Sequence, residues 1–109
     1  MNLGPVGFIK VDVEGHEYDV LLGAKGILGR DHPAVLVEAE ERHKPSAVQS
    51  ICDLLGSHGY HGFMLDDGRL SPIANFDPVR DQFIPAGQLN TLNAGRYKGR
   101  YINNFLFVA

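Results

Sequence analysis

Four consecutive apolar residues, Ala34-Val35-Leu36-Val37, constrain this chain more than any other feature. A strand with one wet face alternates apolar and polar residues, whereas a short run apolar at every position suits a central parallel strand covered on both faces. The run starts after Arg30-Asp31-His32-Pro33 and stops at Glu38-Ala39-Glu40-Glu41-Arg42-His43. A β-rich run, Phe8-Ile9-Lys10-Val11-Asp12-Val13, precedes it and ends at Glu14-Gly15. It reads as a second strand.

Between these strands, apolar residues recur at Val20, Leu21, Ala24, Ile27 and Leu28, which is one stripe of a 3.6-residue helix. Glu17 and Asp19 sit near its start, where the helix dipole favours negative charge. A second helix is expected after the apolar run. Ser46 and Gln49 have capping-box spacing, Val48, Ile51, Cys52 and Leu55 form the buried stripe, and Gly59 suits a left-handed cap. Phe63-Met64-Leu65 and Leu70-Ser71-Pro72-Ile73 flank a hairpin signal at Asp67-Gly68, and Pro72 places the second arm at an edge. Residues 75–100 lack periodicity and read as a long loop, with one helical turn around Ala86 to Leu92. Phe105-Leu106-Phe107-Val108 forms a final strand. Alternation of strands and helices predicts one α/β domain over residues 1–109 with a mostly parallel sheet.

Composition narrows the function. A formal charge of −3 and scattered basic residues give no electrostatic footprint for nucleic acid. No apolar run approaches the ~20 residues that span a bilayer, and Met1-Asn2-Leu3-Gly4-Pro5 lacks the pattern of a signal peptide. Cys52 is the single cysteine, so neither an internal disulfide nor a cysteine-based zinc cluster is available. These features suit a cytoplasmic protein with no membrane partner.

The segment Ile9-Lys10-Val11-Asp12-Val13-Glu14-Gly15-His16-Glu17, followed by Leu21-Leu22-Gly23-Ala24, resembles the central motif of FkbM-type methyltransferases. Ala34-Val35-Leu36-Val37-Glu38, Gly59-Tyr60 and Asn103-Asn104-Phe105-Leu106-Phe107 are similar to that family's later elements. The resemblance implies the C-terminal half of a Rossmann-like methyltransferase fold with an antiparallel final strand. It implies S-adenosyl-L-methionine as cofactor and a small-molecule hydroxyl, on a sugar or secondary metabolite, as methyl acceptor. The family builds its cofactor site mainly from three earlier strands, including a glycine-rich turn, and Gly4-Pro5-Val6-Gly7 does not match such a turn. The cofactor-binding residues are therefore left unassigned, and the isolated chain is expected to be inactive. The Phe8–Val13 strand would lose a neighbour on one side, and open strand edges pair with other chains. Homodimerisation or self-association through that edge is the expected consequence.

Ligands in open α/β sheets bind at the carboxyl ends of the strands. Asp12 and Glu14 occupy such an end, two residues apart, and would share a side if the strand persisted. Either carboxylate could take or orient a hydroxyl proton, with Asp12 preferred because it comes from the strand itself. The bland alternative is that Glu14 and Glu17 cap the helix start. His16 is a second candidate base, against a solvent-facing role in the first helical turn. Glu38, Glu40 and His43 follow the next strand and are candidates for substrate binding. Cys52 reads as a small core residue, and Tyr101 as an anchor for the last strand.

Two other function classes compete. One is a non-catalytic module that docks through its open sheet edge. The other is a metal-dependent hydrolase built on the same acids and histidines, although their spacing is not that of a compact ligand set.

Overall fold

In the computed structural model, residues 5–83 and 101–109 are described. Five strands form one sheet in the order β1-β2-β5-β3-β4: β1 (Phe8–Val11), β2 (Ala34–Glu38), β3 (His61–Asp66), β4 (Arg69–Pro72) and β5 (Asn104–Val108). Helices α1 (Glu17–Gly23) and α2 (Lys25–Asp31) connect β1 to β2, and α3 (Ala47–Gly56) connects β2 to β3. The predicted loop and helical turn from residue 84 to residue 100 lie outside the described residues.

The expectation of a mostly parallel sheet is corrected. Only β1 and β2 pair in parallel, while β2·β5, β5·β3 and β3·β4 are antiparallel. The cause is topological. β2 and β3 run in the same direction, but β5 inserts between them and runs against both, which converts one potential parallel contact into two antiparallel ones. The hairpin adds the third. The final strand is antiparallel, as expected.

Directly paired residues share a face of a sheet, so the register defines two rows on the covered side. Ile9, Val35, Phe107 and Gly62 form one row, and Val11, Val37, Phe105 and Met64 form the other. Leu21, Leu28, Val48, Ile51, Leu55 and Tyr60 join these rows in one buried cluster. Each fully buried leucine or isoleucine there contributes roughly 1.5–3 kcal/mol. Val35 and Val37 are completely buried, but Ala34 and Leu36 are only half-buried, so β2 is central without being sealed on both faces among the described residues.

The single predicted helix over residues 17–28 is two short ones, broken at Ala24. Leu21 and Leu28 carry the stripe, whereas Val20 is exposed. The predicted capping box is also absent. Ser46 takes a left-handed conformation (φ +61°) without a side-chain cap, and Gln49 turns to Asp53 instead. The amide of Ala47 donates to buried Glu41 at 2.8 Å, so a loop carboxylate replaces the serine hydroxyl. The end of α3 follows expectation: Gly59 has φ +85°, and Tyr60 N–H returns to the Leu55 carbonyl. The Tyr60 hydroxyl then donates to the Pro33 carbonyl at 2.5 Å, tying this turn to the start of β2. In the hairpin, Asp67 and Gly68 both have positive φ, the signature of a type I′ turn, and β4 lies at the edge as Pro72 requires.

A π-helical turn, Val79–Phe83, brings Gln82 into the interior. Its amide nitrogen donates to the Ala39 carbonyl (2.9 Å) and the Ile102 carbonyl (2.7 Å), and its oxygen accepts from Glu41 N–H (2.7 Å). Among the described residues no buried side-chain nitrogen or oxygen lacks a partner.

Two substitutions test this packing. A Cβ at Gly62 would lie 2.7 Å from Phe107 Cε1 and 2.9 Å from Ile73 Cγ2. Gly62→Ala should therefore cost about 1–3 kcal/mol in urea denaturation, as overpacked cores do. Gln82→Leu strands three backbone groups and should cost about 3 kcal/mol or more by the same measurement.

Candidate functional site

The site begins one step past the last register pair of the parallel strands. Val11 pairs with Val37 and faces the core, so the next residues, Asp12 and Glu38, fall side by side on the opposite face. Asp12 is exposed, and Glu38 is half-buried at the end of β2. Asp12 lies close enough to act on the Glu38 carboxyl electrostatically. Asn103 Nδ2 donates to Glu38 Oε1 at 3.2 Å. Burial pushes the Glu38 pKa up, neighbouring Asp12 and the charge of Glu40 add to this, and Lys10 opposes it. A second carboxylate beside Glu38 disfavours its ionised form.

Glu40 lies beyond the strand end and is more crowded. The Tyr101 hydroxyl donates to its Oε1. Arg42 Nε donates to Oε2 at 3.2 Å, and His43 Nε2 lies 2.8 Å from the same oxygen. Burial alone would raise the Glu40 pKa, but Tyr101, Arg42 and His43 together lower it below its ordinary value. Burial, followed by the hydrogen bond and charge of Glu40, pushes Tyr101 up to about 12. Its hydroxyl is a firm donor at neutral pH.

The turn after β1 is set by a different acid. Glu14 (φ +38°) and Gly15 (φ +95°) form its centre, closed by His16 N–H to the Val13 carbonyl at 3.3 Å. Buried Glu17 accepts from Val13 N–H at 3.2 Å and Gly15 N–H at 3.0 Å. A Cβ at Gly15 would touch His43 Cβ and its carbonyl oxygen at 3.4 Å, so the turn seats directly on the loop after β2.

This geometry sorts the sequence candidates. Asp12, Glu38, Glu40 and His43 are brought to one strand end. Glu14 is exposed in the turn, and because the strand stops at Val11 it does not continue the alternation that would align it with Asp12. His16 is three-quarters exposed and faces Asp19, 3.7 Å away. No side chain caps the start of α1, and Glu17 instead holds the amides of the turn before it. Asn103 joins the site although it stood out only as part of the closing motif, and Tyr101, read as an anchor, is an anchor for Glu40. Among the described residues no three His, Cys, Asp or Glu side chains are placed to hold a metal ion together. Cys52 is far from nucleophilic, since burial and then the charge of Asp53 raise its thiol to about 11. No helix among the described residues is long and apolar enough to cross a membrane.

The methyltransferase FkbM domain model matches residues 2–61, more than half of the 109 residues. The match runs from before β1 through α3 and includes Asp12, Glu17, Glu38, Glu40 and His43, while Tyr101 and Asn103 lie outside it. No curated protein and no solved structure matched the chain. With its central motif, the parallel β1–β2 pair and the acids at their ends all inside the matched region, the chain belongs to the FkbM methyltransferase domain family.

Proposed function

We propose that this chain forms the acceptor side of an S-adenosylmethionine-dependent O-methyltransferase acting on a hydroxyl of a sugar or secondary metabolite. The observation that carries this is the Asp12–Glu38 pair at the carboxyl ends of two parallel strands, where α/β sheets bind ligands. β1, β2 and β3 share a direction and β5 opposes them, which supports reading the sheet as the C-terminal half of a Rossmann-like methyltransferase fold.

S-adenosylmethionine supplies an electrophilic methyl group on a positively charged sulfur. The described residues do not fit as its cradle. The tight glycine turn after β1 is filled by His43, and its amides at Val13 and Gly15 are taken by Glu17, so no backbone face there is open to a nucleoside. We therefore assign the cofactor to groups that cover the outer edge of β1. That edge has no partner strand among the described residues, and Phe8 on β1 is exposed, as are Val13, Val20 and Leu22 in the turn and helix that follow. In the same reading, a second copy is the alternative occupant of the Phe8–Val13 edge, as strand edges invite pairing.

On the acceptor side, exposed Asp12 accepts the hydrogen bond of the incoming hydroxyl, and Glu38, its pKa raised, stands beside it at the end of the next strand. Asn103 and Lys10 fix and partly neutralise the pair. Alignment of the hydroxyl, more than basicity, is what such a site contributes to methyl transfer.

Calorimetry with S-adenosylhomocysteine tests the division of labour: the purified monomer should show no saturable binding, and saturation would overturn it. Joined to the amino-terminal half of an FkbM methyltransferase domain, the chain should transfer labelled methyl to hydroxyl acceptors. Asp12→Asn should lower that rate by about 100-fold or more, the scale of acid–base assistance, and an unchanged rate would remove Asp12 from the chemistry. The Glu38 pKa is raised on folding, so ionised Glu38 opposes the folded state at neutral pH, and the penalty fades as pH falls and the group protonates. Glu38→Gln, which removes the second charge beside Asp12, should raise the thermal midpoint at pH 7 and give no gain at pH 3 by circular dichroism.

A further inference from the structure

We infer that Glu40 is a positioning residue that presents Nδ1 of His43 as a hydrogen-bond acceptor for a sugar-type hydroxyl at this strand end. The inference rests on the acceptor-side reading and assigns His43 a definite atom and role within it. The chemistry of the contact fixes the tautomer. A carboxylate accepts hydrogen bonds and cannot donate them, so His43 Nε2, 2.8 Å from Glu40 Oε2, carries the proton. In the neutral ring the other nitrogen is then an acceptor, and the partner of one imidazole nitrogen sets the chemistry of the other.

Glu40 is itself held from two more directions. Tyr101 donates to Oε1, and the Arg42 guanidinium donates to Oε2 at 3.2 Å. With Tyr101 raised to about 12, the donor role of its hydroxyl does not reverse near neutral pH. Glu40 is nearly buried, with a side-chain exposure of 11%, whereas the His43 side chain keeps 31%. The carboxylate is thus an internal strut and the imidazole is the group that reaches solvent. The backbone of His43 is set as well: its N–H donates to the Glu40 carbonyl at 3.1 Å, and Gly15 packs against its Cβ and carbonyl oxygen. A Cβ at Gly15 would meet His43 at ordinary contact distance, and the left-handed φ there strains any larger residue. The glycine of the β1 turn and the carboxylate of the β2 loop therefore orient the same imidazole.

Nitrogen-15 NMR of the histidine-labelled chain tests this without any turnover. The expected result is a neutral His43 protonated at Nε2, with a low-field Nε2–H resonance protected from exchange by its hydrogen bond. Glu40→Gln, whose amide oxygen still accepts, should keep that resonance, and Glu40→Ala should lose it. Titration with methyl glucoside should shift the Nδ1 resonance of His43 in the wild type and in Glu40→Gln, with Nε2 little moved. A proton on Nδ1, or an Nε2–H signal unchanged by Glu40→Ala, overturns the positioning role. A silent Nδ1 under the sugar overturns the hydroxyl assignment. Because the readout needs no cofactor, either failure leaves methyl transfer to be judged on its own assay, and a failed assay leaves these spectra decisive for His43.

Discussion

The buried amide of Gln82 sets the spacing on which the rest of this arrangement depends. It hydrogen-bonds Ala39 and Glu41 on one segment and Ile102 on the other, with three contacts between 2.7 and 2.9 Å. Glu40 lies between the first two residues, and Tyr101 and Asn103 flank the third. In extended chain, alternate residues point in opposite directions. Clamping the inward-facing backbone groups therefore turns Glu40 and its neighbours toward Tyr101 and Asn103. The same clamp holds β5 in its place beside β2, because Ile102 lies two residues before the strand and Ile102 N–H is also taken by the Asp81 carbonyl at 3.0 Å. A buried polar side chain with both its nitrogen and its oxygen bonded specifies one arrangement, since any slip of register would strand several groups at once.

Much of this was legible in the sequence where one residue type has one physical use. Asp67-Gly68 can form a tight hairpin turn with both φ values positive, and it does. The apolar run at Ala34–Val37 had to lie inside a sheet, and it pairs on both sides. The β5 insertion was not legible as to neighbours, because a strand's pattern reports its faces and says nothing about which edges it meets. That gap is why a mostly parallel sheet was expected. The missing capping box has a similar cause. Ser46 and Gln49 had the spacing, but a buried carboxylate brought in from Glu41 outcompeted a local hydroxyl for the first free amide of α3. At the site, Asp12 was identified and its partner was not. Spacing along one strand suggested Glu14, whereas the true neighbour, Glu38, follows from register between strands.

The motif shared with the family divides its acids between two tasks. Asp12 keeps an exposed carboxylate at the strand end, and Glu17, five residues later, is buried in the turn with two backbone amides. A carboxylate that accepts several amide hydrogens is a structural element. Its removal would unmake the turn that seats Gly15 on His43. Glu14 and His16, by contrast, sit in the same motif and face solvent. Proximity in sequence thus says little here about shared chemistry, because a type I′-like turn redirects the chain within two residues.

The two borders of the sheet are built differently. β4 ends at Pro72 and is flanked by the Asp66–Arg69 pairing at the hairpin tip, features that discourage further strands. β1 has no proline, carries a single charge at Lys10, and is the parallel partner of a buried strand. Parallel strands occur almost only where both faces and both neighbours are provided for. Phe8 is 56% exposed, and Val13, Val20 and Leu22 in the adjoining turn and helix are exposed to 40–44%. The β4 border exposes Leu70 to 53% as well, so apolar exposure is common to both edges. The carboxyl end of β1, where Asp12 sits, thus has Glu38 on the β2 side and, among the described residues, no strand on the other.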